Sequence, residues 1–294
     1  MSWSALLLVI VAAFIHASWN LLSKRAASAG AHFVFAYSLF AILFYFPVMV
    51  WVLVTQGNMP WNTATVACLV LSSLLHMGYS LSLQKGYQVA DLSVVYPIAR
   101  GTGPMLSSVG AFILLGEPVR PLGVLGILMV VAGILLIATQ GHLRRFLNPA
   151  ALKGVRWGVQ TGLLIAGYTV VDAYGVKVLL ISPFLLDWFS NVLRVSMLSP
   201  YIARQGRAGF VRLKPYWKLA AGVGLLSPLS YILVLQALGM GAPLSMVAPA
   251  REMSMMAGAI LGMVVLREKV NAWRLLGCLV MVGGVVALTS GPSA

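Results

Sequence analysis

Charge is scarce in this chain. Asp, Glu, Lys and Arg make up only 9% of its 294 residues, and six of them are acidic. Soluble domains carry about a quarter charged residues, so no water-soluble fold could cover a sequence that is 60% hydrophobic. Cysteine is nearly missing too. Cys68 and Cys278 lie in separate apolar runs with no partner at metal or redox spacing, and read as small packing residues. No Gly-x-x-x-x-Gly-Lys-Ser/Thr run is present, which argues against direct ATP use. The absence of Gly-x-Ser-x-Gly, His-Glu-x-x-His and paired intramembrane aspartates argues against an intramembrane enzyme. No cofactor or metal is expected. The first apolar segment has neither a basic lead-in nor a convincing cleavage site, and reads as a retained helix.

What the sequence does have is long apolar runs. A membrane helix needs roughly 20 apolar residues to cross about 30 Å of hydrocarbon. With a mean hydropathy of +0.94 the chain has room for about ten such spans and little else. The expected fold is an all-α integral membrane protein with spans near 3–22, 32–54, 64–83, 92–115, 121–139, 157–180, 183–203, 216–238, 243–266 and 272–290. They are punctuated at Gly57-Asn58-Met59-Pro60, Gly116-Glu117-Pro118, Asn148-Pro149, Ser182-Pro183 and Gly241-Ala242-Pro243. The net charge of +14 reads as topology, with no nucleic acid as partner. Fifteen of the twenty Lys and Arg fall in loops after odd-numbered spans, and only Arg120 and Lys177 on the opposite side. Basic loops stay in the cytoplasm, so both termini are predicted outside, in a cell inner membrane.

Shifting the chain on itself by 152 residues aligns Tyr79–Pro97 with Tyr231–Pro249 at nine identities in nineteen positions, including Tyr79/Tyr231, Gln84/Gln236 and Pro97/Pro249. After one deletion the match continues through Arg100/Arg251, Leu115/Leu266, Glu117/Glu268, Gly126/Gly277 and Gly133/Gly284. Apolar composition alone does not align Tyr, Gln, Pro, Arg and Glu. Five spans per repeat is an odd number, so the expected organisation is two inverted five-helix repeats, 1–141 and 154–290. Such repeats are a transporter signature, with the solute site near the midplane between them.

The combination of Pro97 with Leu115-Gly116-Glu117 and Gly126, then Pro249 with Leu266-Arg267-Glu268 and Gly277, together with Tyr168-Thr169-Val170, resembles the drug/metabolite transporter superfamily, in its ten-helix EamA-type branch. The likeness covers the whole chain and implies a basket of helices with a central cavity lined mainly by spans 1, 3, 4, 6, 8 and 9. His16-Ala17-Ser18-Trp19-Asn20 resembles more faintly a subgroup linked to phosphonate-related transport.

An ionisable group inside hydrocarbon costs ~3 kcal/mol or more, so it faces a wet cavity or a partner. The candidates are His16, His76, Arg100, Asp172, Asp187, Arg194, Arg251 and Glu252. Arg100 and Arg251, each just after a proline, could grip a carboxylate or phosphonate, or be neutralised by Glu252 or Asp172. Those two acids and Arg194 are candidates for coupling or charge pairing. Asp187, near a span end, reads as hydrated. His16, Trp19 and Asn20 sit at helical spacing on one face, as do His76 and Tyr79, and with Tyr96, Tyr168 and Tyr231 they could line a solute site or simply pack. Pro97 and Pro249 are candidate hinges. Glu117 and Glu268 should anchor the hairpins that join spans 4–5 and 9–10. The glycines of spans 5 and 10 should form internal packing surfaces.

The expected function is secondary transport of a small anionic or zwitterionic metabolite, such as an amino acid or aminophosphonate, by alternating access. Protons are the candidate coupling ion, and the chain would work as a monomer or homodimer in the lipid bilayer. Proton-coupled export of cationic or aromatic compounds, or a non-transporting scaffold or lipid-handling role, are the alternatives.

Overall fold

The structure, a computed structural model, describes residues 1–55, 61–90, 92–142, 149–258 and 272–290. Its elements are α1 (Trp3–Arg25), α2 (Gly30–Thr55), α3 (Thr63–Val89), α4 (Leu92–Leu114), α5 (Pro121–Thr139), α6 (Pro149–Lys177), α7 (Pro183–Arg204), α8 (Gly206–Leu213), α9 (Trp217–Gly239), α10 (Leu244–Arg251), α11 (253–258 among the described residues) and α12 (Ala272–Thr289). No strand occurs among the described residues. In hydrocarbon a helix is the element that satisfies its own backbone, and the chain uses it throughout.

Helix starts follow local chemistry. Ser2 Oγ accepts from Ala5 N at 3.2 Å and Asn62 Oδ1 from Thr65 N at 2.9 Å, while Pro121 and Pro183 open α5 and α7, where a missing N–H costs nothing. The polarity of the molecule is inverted relative to a soluble protein. Trp3, Leu7, Ile113, Leu114 and Leu279 stand exposed, whereas Arg100, Arg251, Asp172 and Glu252 are almost wholly buried. Among the described residues, six segments are long and apolar enough to cross a membrane: α1, α2, α3, α5, Lys214–Gly239 and α12. The other long helices, α4, α6 and α7, carry buried ionisable side chains, which lower the hydropathy of a helix facing a polar interior.

Three packing groups position the site. α4 lies on α6, and α6 on α3; α9 lies on α1, which also touches α10; α5 lies on α12. The α4–α6 contact is close because small residues face it. A Cβ on Gly158 would stand 2.9 Å from Val95 O, and one on Gly162 would stand 3.1 Å from Ala99 O. The α5–α12 contact is closer still and crosswise: Gly126 meets Gly284 O at 2.7 Å and Gly133 meets Gly277 O at 2.7 Å, measured from a built Cβ. The expected internal glycine packing is therefore present.

Several expectations need correction. α6 begins at Pro149, eight residues before the expected start of that span, because a proline-initiated helix carrying Lys153 and Arg156 extends beyond the apolar run. The ninth span is interrupted: α10 ends at Arg251 and Glu252 is a turn residue before helix resumes at 253. α8 occupies a segment expected as loop. The Leu266-Arg267-Glu268 motif, the end of the ninth span and Gly57-Asn58-Met59-Pro60 lie outside the described residues.

Candidate functional site

Arg100, on the inner side of α4, is 2% exposed and the centre of one cluster. Its Nη1 donates to Glu252 Oε1 at 3.2 Å and Oε2 at 3.4 Å, and its Nη2 meets His16 Nε2 from α1. The guanidinium lies 5.1 Å from the centroid of the Tyr96 ring. Arg251 Nε stands 3.6 Å from the same Glu252 Oε1, an ion-pair distance without a hydrogen bond. Among the described residues neither Nε nor Nη2 of Arg251 has a hydrogen-bond partner, although the residue is 2% exposed. Two formal positive charges therefore share one formal negative charge in this cluster.

Asp172 of α6, fully buried, is the centre of the second cluster. His76 Nε2 from α3 approaches its Oδ2 at 2.8 Å, and the Tyr231 hydroxyl from α9 donates to the same oxygen. His76 stacks on Tyr168 at 3.9 Å; Tyr231 stands edge-on to both rings, and Tyr79 packs on Tyr168 at 5.4 Å. Oδ1 of Asp172 has no hydrogen-bond partner among the described residues. α10, which carries Arg251, is in contact with α6, which carries Asp172, so the two clusters lie on neighbouring helices.

The remaining candidates divide. Trp19 does not face lipid: it is buried, its Nε1 donates to Ser230 Oγ at 3.1 Å, and its ring meets His16 edge-on at 4.7 Å. Asn20 is half-buried, its Nδ2 donating to His16 O at 2.9 Å. Arg194 pairs directly with no acid side chain among the described residues; its Nη1 reaches Ser38 Oγ at 3.3 Å and Asn191 Oδ1 at 3.4 Å, under the Tyr37 ring. Asp187 is half-buried and accepts from Asn191 Nδ2 at 3.0 Å. Pro97 lies inside a continuous α4, and Pro249 three residues before the Glu252 turn.

Glu117 corrects a further expectation. Its carboxylate does not anchor its own hairpin. Oε1 and Oε2 accept from Leu244 N at 2.6 Å and Ser245 N at 2.9 Å, so it caps the first turn of α10 in the other half of the chain. Lys177 Nζ, at the end of α6, bonds Glu117 Oε1 at 3.0 Å and Ala242 O at 3.1 Å. This latch borders a cleft of about 500 Å³ that also touches Trp3, Phe112 and Arg120. Burial pushes the Glu117 carboxyl up, but the Ser245 and Leu244 N–H groups and Lys177 outweigh it and hold the acid below its usual range. A depressed carboxyl stabilises the fold above its unfolded value of roughly 4.3, and that contribution is lost as pH falls through the lower folded value. Glu117→Gln should therefore melt at a lower temperature than wild type at pH 7, and the gap should close on acidification below roughly pH 4.3. Thermal melts across pH check this; a constant gap would show that the latch is not ionic.

Sequence reasoning missed three things: the Gly154, Gly158, Gly162 stripe, legible as a four-residue repeat; the Lys177–Glu117–α10 latch, which no local pattern signals; and the unpartnered hydroxyls of Thr169 and Ser254, which lie one turn from Asp172 and Arg251.

Residues 3–139 match the profile of the EamA-like transporter family. A solved structure, described only as the crystal structure of a protein, superposes at a TM-score of 0.73 with 16% identity, covering 98% of each chain, and shows a shared fold. No curated protein matches the chain. The match is confined to residues 3–139; with the apolar helices it marks a multi-pass membrane protein whose first part is similar to the EamA-like transporter family.

Proposed function

We propose that the chain is a secondary transporter of a small anionic or zwitterionic solute, working by alternating access across a cell inner membrane. In this reading ten spans form two inverted repeats, 1–141 and 154–290, with both termini outside. The crosswise glycines support the inversion. Gly126 and Gly277 are repeat mates, as are Gly133 and Gly284; Gly126 meets Gly284 while Gly277 meets Gly133. A pseudo-two-fold axis produces that exchange of partners. Likewise α6 packs on α3 as α1 packs on α9.

Two bodies result, α3–α4–α6 and α1–α9–α10. Arg100 to Glu252 and His16, Asp172 to Tyr231, and Glu117 to α10 all run between them. Rocking one body against the other would break the latch at the end holding Glu117 and open a path to the interior. Ser245, at the latch, is six residues from Arg251, about 9 Å of helix rise. Pro97 and Pro249 are the proposed hinges, and Arg194 with Ser38 and Asn191 a charge-bearing strut between α7 and α2.

The observation that carries the reading is Arg251. A buried guanidinium with two nitrogens unpartnered costs free energy, and an acid group on the solute would recover it. Arg251→Gln should weaken binding of anionic or zwitterionic solutes by tenfold or more, roughly the worth of a charge-assisted hydrogen bond. Thermal stabilisation of purified protein across a metabolite panel, followed by uptake into proteoliposomes, measures it. Ligands that are all cations, bound equally by the variant, would defeat the proposal.

A further inference from the structure

Five of the ten buried side-chain polar atoms without a hydrogen-bond partner among the described residues form two groups of opposite character; the others, on Thr65, Ser72, Gln84, Ser190 and Arg194, belong to neither. On α10 and α11 they are Nε and Nη2 of Arg251, with the Ser254 hydroxyl one turn on. On α6 they are Oδ1 of Asp172 and the Thr169 hydroxyl, three residues apart and so on one helix face. Asp172 is fully buried and Thr169 is 4% exposed. Formal charge divides the same way. Glu252 offsets one of the two arginines and leaves a surplus positive charge near Arg251, whereas Asp172 has only His76 and the Tyr231 hydroxyl, both on its other oxygen. A purely anionic solute would answer the first group and leave the second unsatisfied, with its charge near the Asp172 carboxylate. A purely cationic solute would do the reverse. α6 and α10 are in contact, so the two groups lie on neighbouring helices.

We infer that the solute carries an ammonium group as well as an acid group, the acid on Arg251 and the ammonium on Asp172 Oδ1 and Thr169 Oγ1. The Tyr168, Tyr231 and His76 rings stand beside Asp172, and aromatic faces attract a cation. Because Asp172 belongs to the α3–α4–α6 body and Arg251 to the α1–α9–α10 body, a solute with both ends engaged would draw the two together, and one with a single charged end would not. The inference rests on the proposed acid-binding role of Arg251 and adds the amine requirement.

The test uses the full-length protein in nanodiscs with the amino acids and 2-aminoethylphosphonate as probes. Each is compared with the matched acid lacking the amine and the matched amine lacking the acid. The tightest ligand should be a zwitterion, with both matched compounds roughly tenfold weaker or more. Asp172→Asn should bring the preference over the matched acid close to one, by weakening the zwitterion and relieving the acid of the nearby carboxylate. Thr169→Val, which keeps the contacts of Asp172 with His76 and Tyr231, should reduce the preference several-fold and guards against a folding defect in the first variant. Matched acids that bind as well as zwitterions, indifferent to both variants but lost in Arg251→Gln, would overturn this inference and leave the proposed function standing. Amines that bind best with Arg251→Gln silent would overturn both. No binding by any zwitterion at millimolar concentration would also overturn the inference.

Discussion

Glu252→Gln is expected to be the most damaging single substitution in the interior, costing on the order of 3–5 kcal/mol of stability, the range for stranding a buried charge by removing its partner. Glu252 is fully buried and serves two arginines, at 3.2 Å from Arg100 and 3.6 Å from Arg251. Its loss leaves two formal positive charges facing each other with only a neutral amide between them. Arg100→Gln should cost less, since Glu252 keeps Arg251 beside it. The double variant Glu252→Gln with Arg100→Gln should recover part of the loss, because one positive charge is again alone rather than two together. Thermal melting and monodispersity of the three proteins in one detergent order these effects. A Glu252→Gln protein as stable as wild type would mean that the carboxyl carries no charge in the ground state, and would shift interest to its role as a proton carrier.

The residue types of this interior were legible in the sequence, and their pairing was not. The repeat alignment places Arg100 and Arg251 at equivalent depth, yet Glu252 aligns with Gly101, so the single acid could have served either arginine. Adjacency favours Arg251, but successive residues on a helix point about 100° apart, and Glu252 follows the end of α10 in a turn. It therefore reaches across to α4. Asp172 likewise takes partners from α3 and α9, ninety-six and fifty-nine residues away. Glu117 reads locally as a hairpin anchor, but the start of α10 supplies unpaired N–H donors that a turn does not. Periodicity and composition locate helices and the depth of each polar group. Which helix stands opposite depends on small residues such as Gly158 and Gly162, whose meaning appears only once α4 is known to lie against them.

Gly284→Val is expected to be nearly as severe, for a reason unrelated to charge. A Cβ at Gly284 would lie 2.8 Å from Gly126 O and 2.9 Å from Val130 N, and one at Gly126 would lie 2.7 Å from Gly284 O. These are backbone atoms in the middle of helices, so α5 and α12 would have to separate along their whole contact. Overpacking of that kind costs about 1–3 kcal/mol or more, and valine adds two methyl groups to the clash. Gly283 and Gly123 supply controls on the same two helices. A Cβ at Gly283 meets only the flexible end of Met129, at 2.8 Å, and one at Gly123 meets nothing closer than Arg120 Cβ, at 3.7 Å. Alanine at either should be nearly silent in a thermal melt, while alanine at Gly126 or Gly284 should already destabilise. Equal effects at all four would show that α5 and α12 stand further apart than their glycines imply. The expected contrast would mark this pair as a fixed strut. A backbone contact this close leaves no room for sliding, so the proposed motion that exposes Arg251 falls to the helices that bear the ionisable groups.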